Sequence, residues 1–564
     1  MCLHKIILLS AAIISVFGLS SCAKNTSGTF VITDYGAVGD AKTLNTASIN
    51  KVLSACAKTG GGTVTVPPGT FRTGPIRIYA NTTLHLEAGA VLKGSADLND
   101  YIIDGQRYGL ISATNADNVA IIGRGVIDGS GTSFMDMAST RAGAERFGDF
   151  DSKFTRQGRE YMDPKFGTAD GPVIPYERPG RLVAFSLCKN VLIRDVTITD
   201  APLWTVHLDR CRDVVVSGVH IDNPLGVPNN DGIHCTSCAN VHISDCIISA
   251  GDDGIAITSI GDPRHHQILG GDPLGPGKTE NITVTNCTLQ SRSTALRVGY
   301  TGGDIKNCAF SNIIIRESNR GLLVNVRDEA SVENVLFSNI IIQTRLHTGH
   351  WWGHAEPIQV SAVPNTPDIK KLGQIKNVRF SNIIAESQSG IVIWGSKDSV
   401  IKDLAFDNVK VKIKNGPLST SYGGNFDLRT SADLATAQFK HDIPALYCTN
   451  VAGLKISGFE TEWEEGLPDF FNHSIWCQSV SDVEIDGFVG RQAHLGDSRA
   501  AIVLDKVNGA IIRNCRAAEG TGIFLQTVDM TNGRLFASND LSNAQQTTEA
   551  AESGFHEFGN SESK

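Results

Sequence analysis

The sequence predicts an all-β fold, a right-handed parallel β-helix, from a repeated unit and from the spacing of its copies. The unit is an Asn or Asp, an alternating apolar strand, a bend and a second short strand. The steps from Asn307 to Asn334 and from Asn377 to Asp403, 27 and 26 positions, each fit one turn of a solenoid. Copies begin at Asn118, Asn190, Asn240, Asn281, Asn307, Asn334, Asn377, Asp403, Asp482 and Asn508.

A solenoid grows by adding turns, so residues 30–544 are predicted to form one domain despite a chain length of 564 residues. Charged residues make up 19% of the chain and 57 residues are Gly, which is typical of a β-rich, turn-rich secreted protein. The net charge of −9 argues against nucleic acid and against an anionic membrane surface as partners. An acidic polymer would have to be bound by local cations.

Residues 1–22 are predicted to be an export signal, followed by a linker at 23–29. Lys5 gives the positive start, and Ile6 to Leu19 form an apolar run that is short for a membrane span. The run ends in Leu19-Ser20-Ser21-Cys22, which resembles a bacterial lipobox with a lipidated Cys22. We therefore expect export and a lipid anchor in the bacterial cell envelope (periplasm or outer membrane), the lipid being the chain's one contact with the membrane. A cleaved signal with a chance cysteine is the alternative.

An N-terminal cap is predicted for residues 30–75, because a solenoid exposes an apolar end turn that must be covered. Ile49, Val52, Leu53 and Cys56 recur at the spacing of an amphipathic helix. Gly60-Gly61-Gly62 ends the helix, and a strand follows it.

Two segments interrupt the repeat and are predicted to project as loops, Met135 to Pro179 and Thr344 to Lys371. The polar residues 545–564 are predicted to be a disordered tail.

The cysteines predict a packed interior rather than a metal site. Without Cys2 and Cys22 the 13 cysteines become 11, an odd number that leaves at least one free thiol. Cys246, Cys287, Cys308 and Cys515 each follow a strand pattern and are expected to stack inside the helix. Cys235 and Cys238 have the spacing of half a zinc site, but no second pair follows, so no metal is predicted.

Three acidic residues in the segment Asn223 to Thr258 are the predicted catalytic groups. Asp231 and Asp252 are 21 positions apart, about one turn, and neighbouring strands lie about 4.8 Å apart, so Asp231, Asp252 and Asp253 should cluster. Two carboxyl groups, one donating a proton and one activating water, are what glycoside hydrolysis requires. Gly251 and Gly254 permit a bend that brings Asp252 and Asp253 to the same site. The alternative is that these are turn residues that only bond backbone amides.

At these residues the chain resembles glycoside hydrolase family 28, the polygalacturonases and their relatives. The resemblance covers residues 30–345 and includes Gly123 to Gly129, Pro202 to His207, Asn229 to Gly232 and Gly251 to Asp253. It implies an inverting β-helix hydrolase without a cofactor, with Asp252 as general acid and with Asp231 and Asp253 activating water. Asn229 would orient the substrate, a polysaccharide or oligosaccharide, and His234 is a further candidate for contact with it.

The departures from the family argue against plain polygalacturonate as the substrate. The family's Gly-His-Gly is Ser293-Thr294-Ala295 here, its Arg-Ile-Lys is Leu323-Val324-Asn325, and the Lys after the Asp pair is Thr258. In the family these cations hold the galacturonate carboxylate. Arg297 and Arg327 lie near the lost positions and are the candidates to replace them.

The second loop is predicted to contribute sugar contacts and to make the enzyme exo-acting. Trp351 and Trp352, with His354 nearby, suit stacking on a sugar face. The alternative is that these tryptophans are buried and anchor the loop.

Two other functions remain open on the sequence. A polysaccharide lyase or epimerase on the same fold would use a Lys or Arg base, often with calcium, and the segment holding the three Asp residues contains neither base between Asp231 and Asp253. A β-helix that binds glycan without catalysis would need no acidic cluster.

Overall fold

The computed structural model describes residues 28–140, 171–259, 277–299, 302–349, 351–367, 369–429, 438–550 and 554–562. The chain folds as the predicted right-handed parallel β-helix with an N-terminal capping helix. The signal segment 1–22 with Cys22 lies outside the described residues, as does most of the first predicted loop. None of the described helices has the length and apolar character needed to cross a membrane.

The first wall of the helix is a 15-stranded parallel sheet, which carries the functional residues. Its strands in chain order are Ile76–Arg77, Ile111–Thr114, Val183–Ser186, Val206–Asp209, Ile233–Thr236, Ile255–Thr258, Thr294–Gly299, Arg320–Val326, Ile358–Ala362, Ile391–Trp394, Leu446–Thr449, Ile475–Gln478, Ala500–Asp505, Thr521–Val528 and Ala544–Ala550.

The remaining walls form a 29-stranded sheet with two columns of strands. The columns are joined because long strands such as Ile305–Ser318 pair with strands of both. Its strands are Gly28–Val31, Asp40–Leu44, Gly62–Val66, Gly69–Thr73, Thr82–Leu86, Ala90–Gly94, Val119–Gly123, Val126–Asp128, Lys189–Arg194, Thr197–Thr199, Arg212–Ser217, His220–Asp222, Ala239–Ser244, Ile247–Ala250, Thr279–Thr285, Thr288–Ser291, Ile305–Ser318, Val332–Thr344, Ile375–Ser387, Ile401–Ile413, Val451–Trp463, Ser481–Asp486, Val489–Gly490, Asn508–Arg513, Arg516–Ala517, Thr531–Ala537, Asp540–Leu541, His556–Phe558 and Ser561–Glu562.

The helices are short, and one of them covers the first turn. The α-helix Thr46–Lys58 buries Ile49, Val52, Leu53 and Cys56, the four residues that predicted it. Another α-helix is Ser419–Tyr422, and 3-10 turns span Ile32–Tyr35, Leu98–Tyr101 and Gly131–Phe134. Three antiparallel pairs project from the stack: Ile102–Ile103 with Gln106–Arg107, Met135–Thr140 with Val173–Pro175, and Asn425–Asp427 with Gln438–Lys440.

The repeated Asn is explained by its backbone conformation. Asn281, Asn307 and Asn334 adopt positive φ angles of 58–60°, a left-handed turn that Asn tolerates better than most residues. Their side chains also bond from one turn to the next, with Asn334 Nδ2 donating to Asn307 Oδ1 at 3.1 Å and Asn307 Nδ2 to Asn281 Oδ1 at 3.3 Å. The position therefore shapes the bend and links consecutive turns.

The interior is a column of apolar side chains that continues from turn to turn. Phe310, Phe337, Phe380 and Phe406 stack with ring centroids 4.9, 5.0 and 5.1 Å apart. The eleven cysteines among the described residues are all buried and form no disulfide bond, so the thiols act as small apolar groups.

The structure corrects the predicted boundaries in three places. Strand Gly28–Val31 begins inside the predicted linker at 23–29 and pairs with Gly62–Val66. Strand Ile358–Ala362 lies inside the predicted loop Thr344 to Lys371, because its alternating residues continue the 15-stranded sheet. The predicted tail at 545–564 contributes three strands, Ala544–Ala550, His556–Phe558 and Ser561–Glu562, because polar side chains can stand on the outer face of an end turn.

Candidate active site

Two of the acidic residues, Asp231 and Asp253, lie in one row that runs along the 15-stranded sheet, two positions before the first core residue of each strand. Parallel backbone bonds define the row: Thr205 N donates to Asp231 O at 2.8 Å, Gly232 N to Asp253 O at 2.9 Å and Gly254 N to Thr294 O at 2.9 Å. Asp231 is thus stacked on Asp253, 22 positions later, rather than on Asp252 as the sequence spacing suggested. The wider cluster of three carboxyl groups is nevertheless formed.

Glycines allow neighbouring turns to approach closely at this row. A side chain at Gly232 would overlap the carbonyl oxygen of Gly254, and one at Gly251 would overlap the carbonyl oxygen of Val227. The site therefore requires glycine for contact between backbones.

Each carboxylate is held by a different set of partners. Asn229 Nδ2 donates to Asp252 Oδ2 at 3.2 Å. Arg297 Nε lies 2.6 Å from Asp253 Oδ2 in an ion pair. The third, Asp231, has its Oδ2 atom 3.1 Å from His234 Nδ1.

Burial and mutual repulsion alter how these groups hold protons. Burial and the nearby charges of Asp231 and Asp253 raise the pKa of Asp252 well above its usual range, with Arg297 opposing. Burial and the charge of Asp253 raise the pKa of Asp231 to about 8, with Arg297 and Arg181 opposing. The cluster therefore retains a proton near neutral pH, while the ion pair places the cation of Arg297 beside Asp253.

His234 lies behind Asp231 rather than in a position to contact substrate. Only 2% of the residue is exposed, and its ring stacks on Trp204 with centroids 3.9 Å apart. Burial, and then repulsion from Arg297, lower the pKa of His234 well below its usual range. Its Nε2 is 3.1 Å from Thr258 Oγ1. Thr258, which stands where the family has Lys, therefore contacts this histidine.

Asn229 is exposed beside Asp252, and Arg178 fixes it there. Arg178 Nη2 donates to Asn229 Oδ1 at 2.9 Å, and Nη1 donates to the carbonyl oxygens of Pro202 and Pro228. Arg181 stacks over Trp204, with Cζ 4.6 Å from the ring centroid. The sequence did not single out Arg178, Arg181 or Trp204 as functional, because their partners lie on other turns.

The two arginines predicted to replace the lost cations contact other groups of the protein instead. Arg297 has a side chain only 12% exposed and pairs with Asp253. Arg327 is buried, and its Nη2 donates to the carbonyl oxygen of Arg429. At the positions where the family has cations, Thr258, Thr294, Leu323 and Asn325 are all buried.

The second loop is anchored by a buried cluster of two arginines and two acids. Arg320 lies 3.7 Å from both Glu356 Oε2 and Asp427 Oδ2, and Arg429 Nη2 donates to Asp427 Oδ2 at 2.9 Å. Burial raises the pKa of Glu356. Burial alone would also raise that of Asp427, but Arg429 and Arg320 outweigh it and hold the pKa of Asp427 far below its usual range.

The loop's predicted sugar-binding residues mostly serve as anchors. Trp351 is buried and its carbonyl oxygen accepts from Arg429 Nη2 at 2.6 Å. His354 is buried and packs against Tyr422, with ring centroids 4.5 Å apart. Of these three residues only Trp352 is partly exposed, and the guanidinium of Arg429 lies over it, with Cζ 5.3 Å from the ring centroid.

The start of the loop reaches back towards the acidic row. His347 Nε2 lies 3.2 Å from Arg292 Nη1, next to Ser293, whose hydroxyl contacts Asp253. A Cβ at Gly349 would lie 2.7 Å from the Cα of Gly171. The loop therefore touches the segment before Val173, and Val173 N donates to the carbonyl oxygen of Gly226, three residues before Asn229.

The described residues contain no group of three or more His, Cys, Asp or Glu arranged to hold a metal ion.

Comparison with known proteins gives matches over most of the chain. Residues 152–423 match the family described as glycosyl hydrolases family 28, and residues 29–145 match the family described as rhamnogalacturonase A/epimerase, pectate lyase-like. A probable polygalacturonase of Vitis vinifera is 26% identical over 64% of this chain and 69% of its own. An exo-poly-alpha-D-galacturonosidase of Dickeya chrysanthemi is 27% identical over 52% of this chain and 51% of its own.

Two solved structures share the fold. The exopolygalacturonase of Thermotoga maritima superposes with a TM-score of 0.52 at 24% identity, over 68% of this chain and 87% of its own. The family 28 exopolygalacturonase of Yersinia enterocolitica gives a TM-score of 0.55 at 18% identity, over 81% of this chain and 78% of its own.

The raised pKa values predict that neutralising Asp252 stabilises the protein at alkaline pH. A carboxyl with a folded-state pKa above its unfolded value binds its proton more tightly in the folded state, so the wild type loses stability as pH rises from about 4 to about 8. Asp252→Asn should therefore unfold at a higher temperature than the wild type at pH 8, by several degrees, and the difference should shrink at pH 4.5. The same change at the exposed Asp222 is the control. Equal effects of the two substitutions at pH 8 would contradict the prediction.

Proposed function

The chain is a polygalacturonase-like glycosidase of glycosyl hydrolase family 28, and from this premise we propose that it cleaves a pectin-type polysaccharide by inverting acid/base hydrolysis at Asp231, Asp252 and Asp253. The observation that carries the proposal is one buried cluster of three carboxyl groups, in which burial and the neighbouring charges raise the pKa of Asp252 and Arg297 pairs with Asp253. Such a cluster supplies both a proton donor and an ionised base.

The proposed reaction uses the three carboxyl groups in different roles. Asp252 gives its proton to the glycosidic oxygen as the bond between that oxygen and the anomeric carbon breaks. A water oxygen bonds to the anomeric carbon from the opposite face, and the proton lost by this water passes to Asp253, the carboxylate paired with Arg297. Asp231, stacked on Asp253, helps to hold the same water. Asn229 orients the sugar beside Asp252.

The proposed substrate is a pectin-type glycan other than plain polygalacturonate. The side chains that replace the family's cations have no charge, and two of them have other partners: Thr258 Oγ1 lies 3.1 Å from His234 Nε2, and Thr294 accepts from Arg320 at 3.4 Å. A carboxylate placed against uncharged buried groups would lose its hydration without gaining a cation. Binding a neutral or branched sugar does not require this loss of carboxylate hydration.

The proposed mode of attack is at a chain end. The contacts of His347 with Arg292 and of Gly349 with Gly171 support this mode, because they hold the start of the loop beside the acidic row, where it would close one end of the substrate-binding region. The buried cluster around Arg320 fixes the loop's base, so the loop forms a rigid wall. The names of the Dickeya and Zea mays relatives, which include exopolygalacturonases, agree with this mode.

A lyase or epimerase is the second candidate, favoured by the match of residues 29–145 to a pectate lyase-like family. That match covers the cap and the first turns, before the first residue of the acidic row. Only a lyase leaves an unsaturated sugar, so ultraviolet absorbance of the products distinguishes the two.

Asp252→Asn should lower kcat by at least about 100-fold, because it removes the general acid. Asp222→Asn makes the same chemical change at an exposed site and should leave kcat near the wild-type value. Product formation from pectin-type oligosaccharides, measured by mass, gives the rates. Near-normal turnover by a folded Asp252→Asn enzyme would remove Asp252 from the mechanism.

Polygalacturonate should be a poor substrate, cleaved at least about 10-fold more slowly than the best neutral or branched pectic oligosaccharide, because the lost charge pairs are strong ones. Methyl-esterified polygalacturonate is the matched comparison, since esterification removes the charge of the carboxyl groups and adds only a methyl group to each. The proposal is wrong if unesterified polygalacturonate is cleaved as fast as every member of a panel of neutral and branched substrates.

Early digestion of a long substrate should release one or two sugars at a time and leave the viscosity nearly unchanged, because the wall prevents a polymer from threading through the cleft. The same polymer with its terminal sugars chemically blocked should resist cleavage and serves as the control. Rapid loss of viscosity with mixed oligomers would show that the cleft is open.

A further inference from the structure

Arg178 joins its own turn of the solenoid to the two turns that follow it. It precedes the strand Val183–Ser186, whose next two neighbours in the sheet belong to those turns. Its Nη1 donates to the carbonyl oxygen of Pro202 at 3.1 Å and to that of Pro228 at 2.7 Å. Its Nη2 donates to Asn229 Oδ1 at 2.9 Å. One guanidinium thus serves three oxygen acceptors, a task for which its planar fork of five N–H donors is suited.

These contacts fix the direction in which the side-chain amide of Asn229 points. An arginine side chain has donors and no acceptor, so the amide oxygen of Asn229 must face Arg178. The amide nitrogen then faces Asp252, and Nδ2 donates to Asp252 Oδ2 at 3.2 Å. With the amide reversed, a donor of Asn229 would meet a donor of Arg178.

The backbone around Asn229 is held as well. Asn229 has a φ angle of 60°, in the left-handed region that Asn adopts more readily than most residues. The next residue, Asn230, is fully buried, and its Nδ2 donates to the carbonyl oxygen of Pro224 at 3.0 Å. Its Oδ1 accepts from the backbone nitrogen of Gly251, the residue before Asp252, at 2.5 Å. The chain is therefore fixed on both sides of the bond between Asn229 and Asp252.

The contact with Asn229 distinguishes the two oxygens of Asp252. A protonated carboxyl group has one O–H donor, and an oxygen that already faces an N–H is disfavoured for that role because two hydrogens would meet. The proton of Asp252 therefore belongs on Oδ1. We propose that Arg178 is a positioning residue, which sets the amide of Asn229 and thereby directs the acidic proton of Asp252 to Oδ1, from which it is given to the glycosidic oxygen.

The inference rests on the proposed function, in which Asp252 is the general acid. In that step the O–H bond at Oδ1 breaks, its electron pair stays on the carboxylate, and the proton bonds to the glycosidic oxygen. Negative charge then forms on Asp252. A hydrogen bond from Asn229 Nδ2 to a carboxylate is stronger than one to a neutral carboxyl group. Arg178 thus favours, through Asn229, the state in which the proton has been given away.

Other groups also face Asp252 and influence its proton. The charges of Asp231 and Asp253 raise the pKa of Asp252, as burial does, and Arg297 opposes them. The hydroxyl of Ser293 bonds Asp252 as well, and a hydroxyl can donate or accept, so it fits either protonation state. A pH profile therefore reports the coupled cluster, and the variants used below leave all four of these groups unchanged.

Arg178→Met should lower kcat by about 10-fold, because it removes the donors that orient the amide. If Arg178 acts through Asn229, the same substitution should have almost no further effect on kcat in the Asn229→Ala enzyme. Rates are measured on the pectin-type oligosaccharide that the wild type cleaves fastest. Equal losses of kcat in the two backgrounds would overturn the proposal and leave Arg178 as a support of the backbone.

Arg107→Met is the matched control for a structural role of this segment. Arg107 also holds the segment in place, since its Nη1 donates to the carbonyl oxygen of Arg178 at 3.2 Å and its Nη2 donates to Glu177 Oε2 at 3.1 Å. No printed contact leads from Arg107 to Asn229, so its replacement should leave kcat near the wild-type value. A loss of kcat as large as that of Arg178→Met would show that both arginines act by holding the segment.

The pH profile of kcat/KM separates the loss of a hydrogen-bond donor from a loosened site. Without the donor, ionised Asp252 is less stable, so the pKa of Asp252 rises and the basic limb of the profile should move upward by about half a unit or more in Arg178→Met. A loosened site would admit water, lower the raised pKa and move the limb downward. An unmoved limb, or one that moves downward, would refute the proposal.

A second measurement needs no activity. Neutron diffraction from deuterium-exchanged crystals of the wild-type protein at acidic pH should show the two amide deuterons of Asn229 on the atom that faces Asp252, and a deuteron on Asp252 Oδ1. A deuteron on Oδ2, or an amide nitrogen that faces Arg178, would contradict the proposal. Failure of the proposed function itself would appear instead as an active Asp252→Asn enzyme.

Discussion

The site depends on one constraint, the constant spacing between neighbouring strands of the parallel sheet. The acidic row runs from Asp231 to Asp253, then to Thr294 and to Arg320, and the stretches of chain between these members differ widely in length. Each stretch nevertheless advances the stack by one strand spacing, about 4.8 Å. Extra residues are placed between the strands and do not change the strand spacing, so residues far apart in sequence are aligned as neighbours.

This alignment forces like charges together and makes their protonation a property of the cluster. Three carboxyl groups share a buried site with Arg297, and Arg181 lies close enough to affect Asp231. Burying an ion away from water is costly unless an opposite charge is close. One ion pair and one retained proton reduce that cost, and the proposed general acid needs such a proton. The arrangement that lowers stability at alkaline pH is therefore also the one on which the proposed mechanism depends.

A second set of buried charges holds the loop in place and has no part in the proposed reaction. Arg320 belongs to the row, one step beyond Thr294, and it links that row to Glu356 and Asp427. Arg429 then connects Asp427 to the backbone of Trp351. Because breaking such a network would leave unpaired buried charges, the loop is held in one position relative to the acidic residues. The loop and the acidic row are thus linked by one network of buried charges.

The sequence by itself determined the fold, the capping helix and the three acidic residues, because the period of the repeat and the helical spacing of apolar residues are local patterns. It also determined that Thr258, Thr294, Leu323 and Asn325 are uncharged. Only the tertiary structure decided that Asp231 is stacked on Asp253, that Arg297 pairs with Asp253 and that His234 Nδ1 lies 3.1 Å from Asp231 Oδ2. It likewise turned Trp351 and His354 from candidate sugar contacts into buried anchors. These outcomes depend on the length of each turn and on partners one or more turns away, and a change of a single position in the spacing alters which carboxyl groups meet.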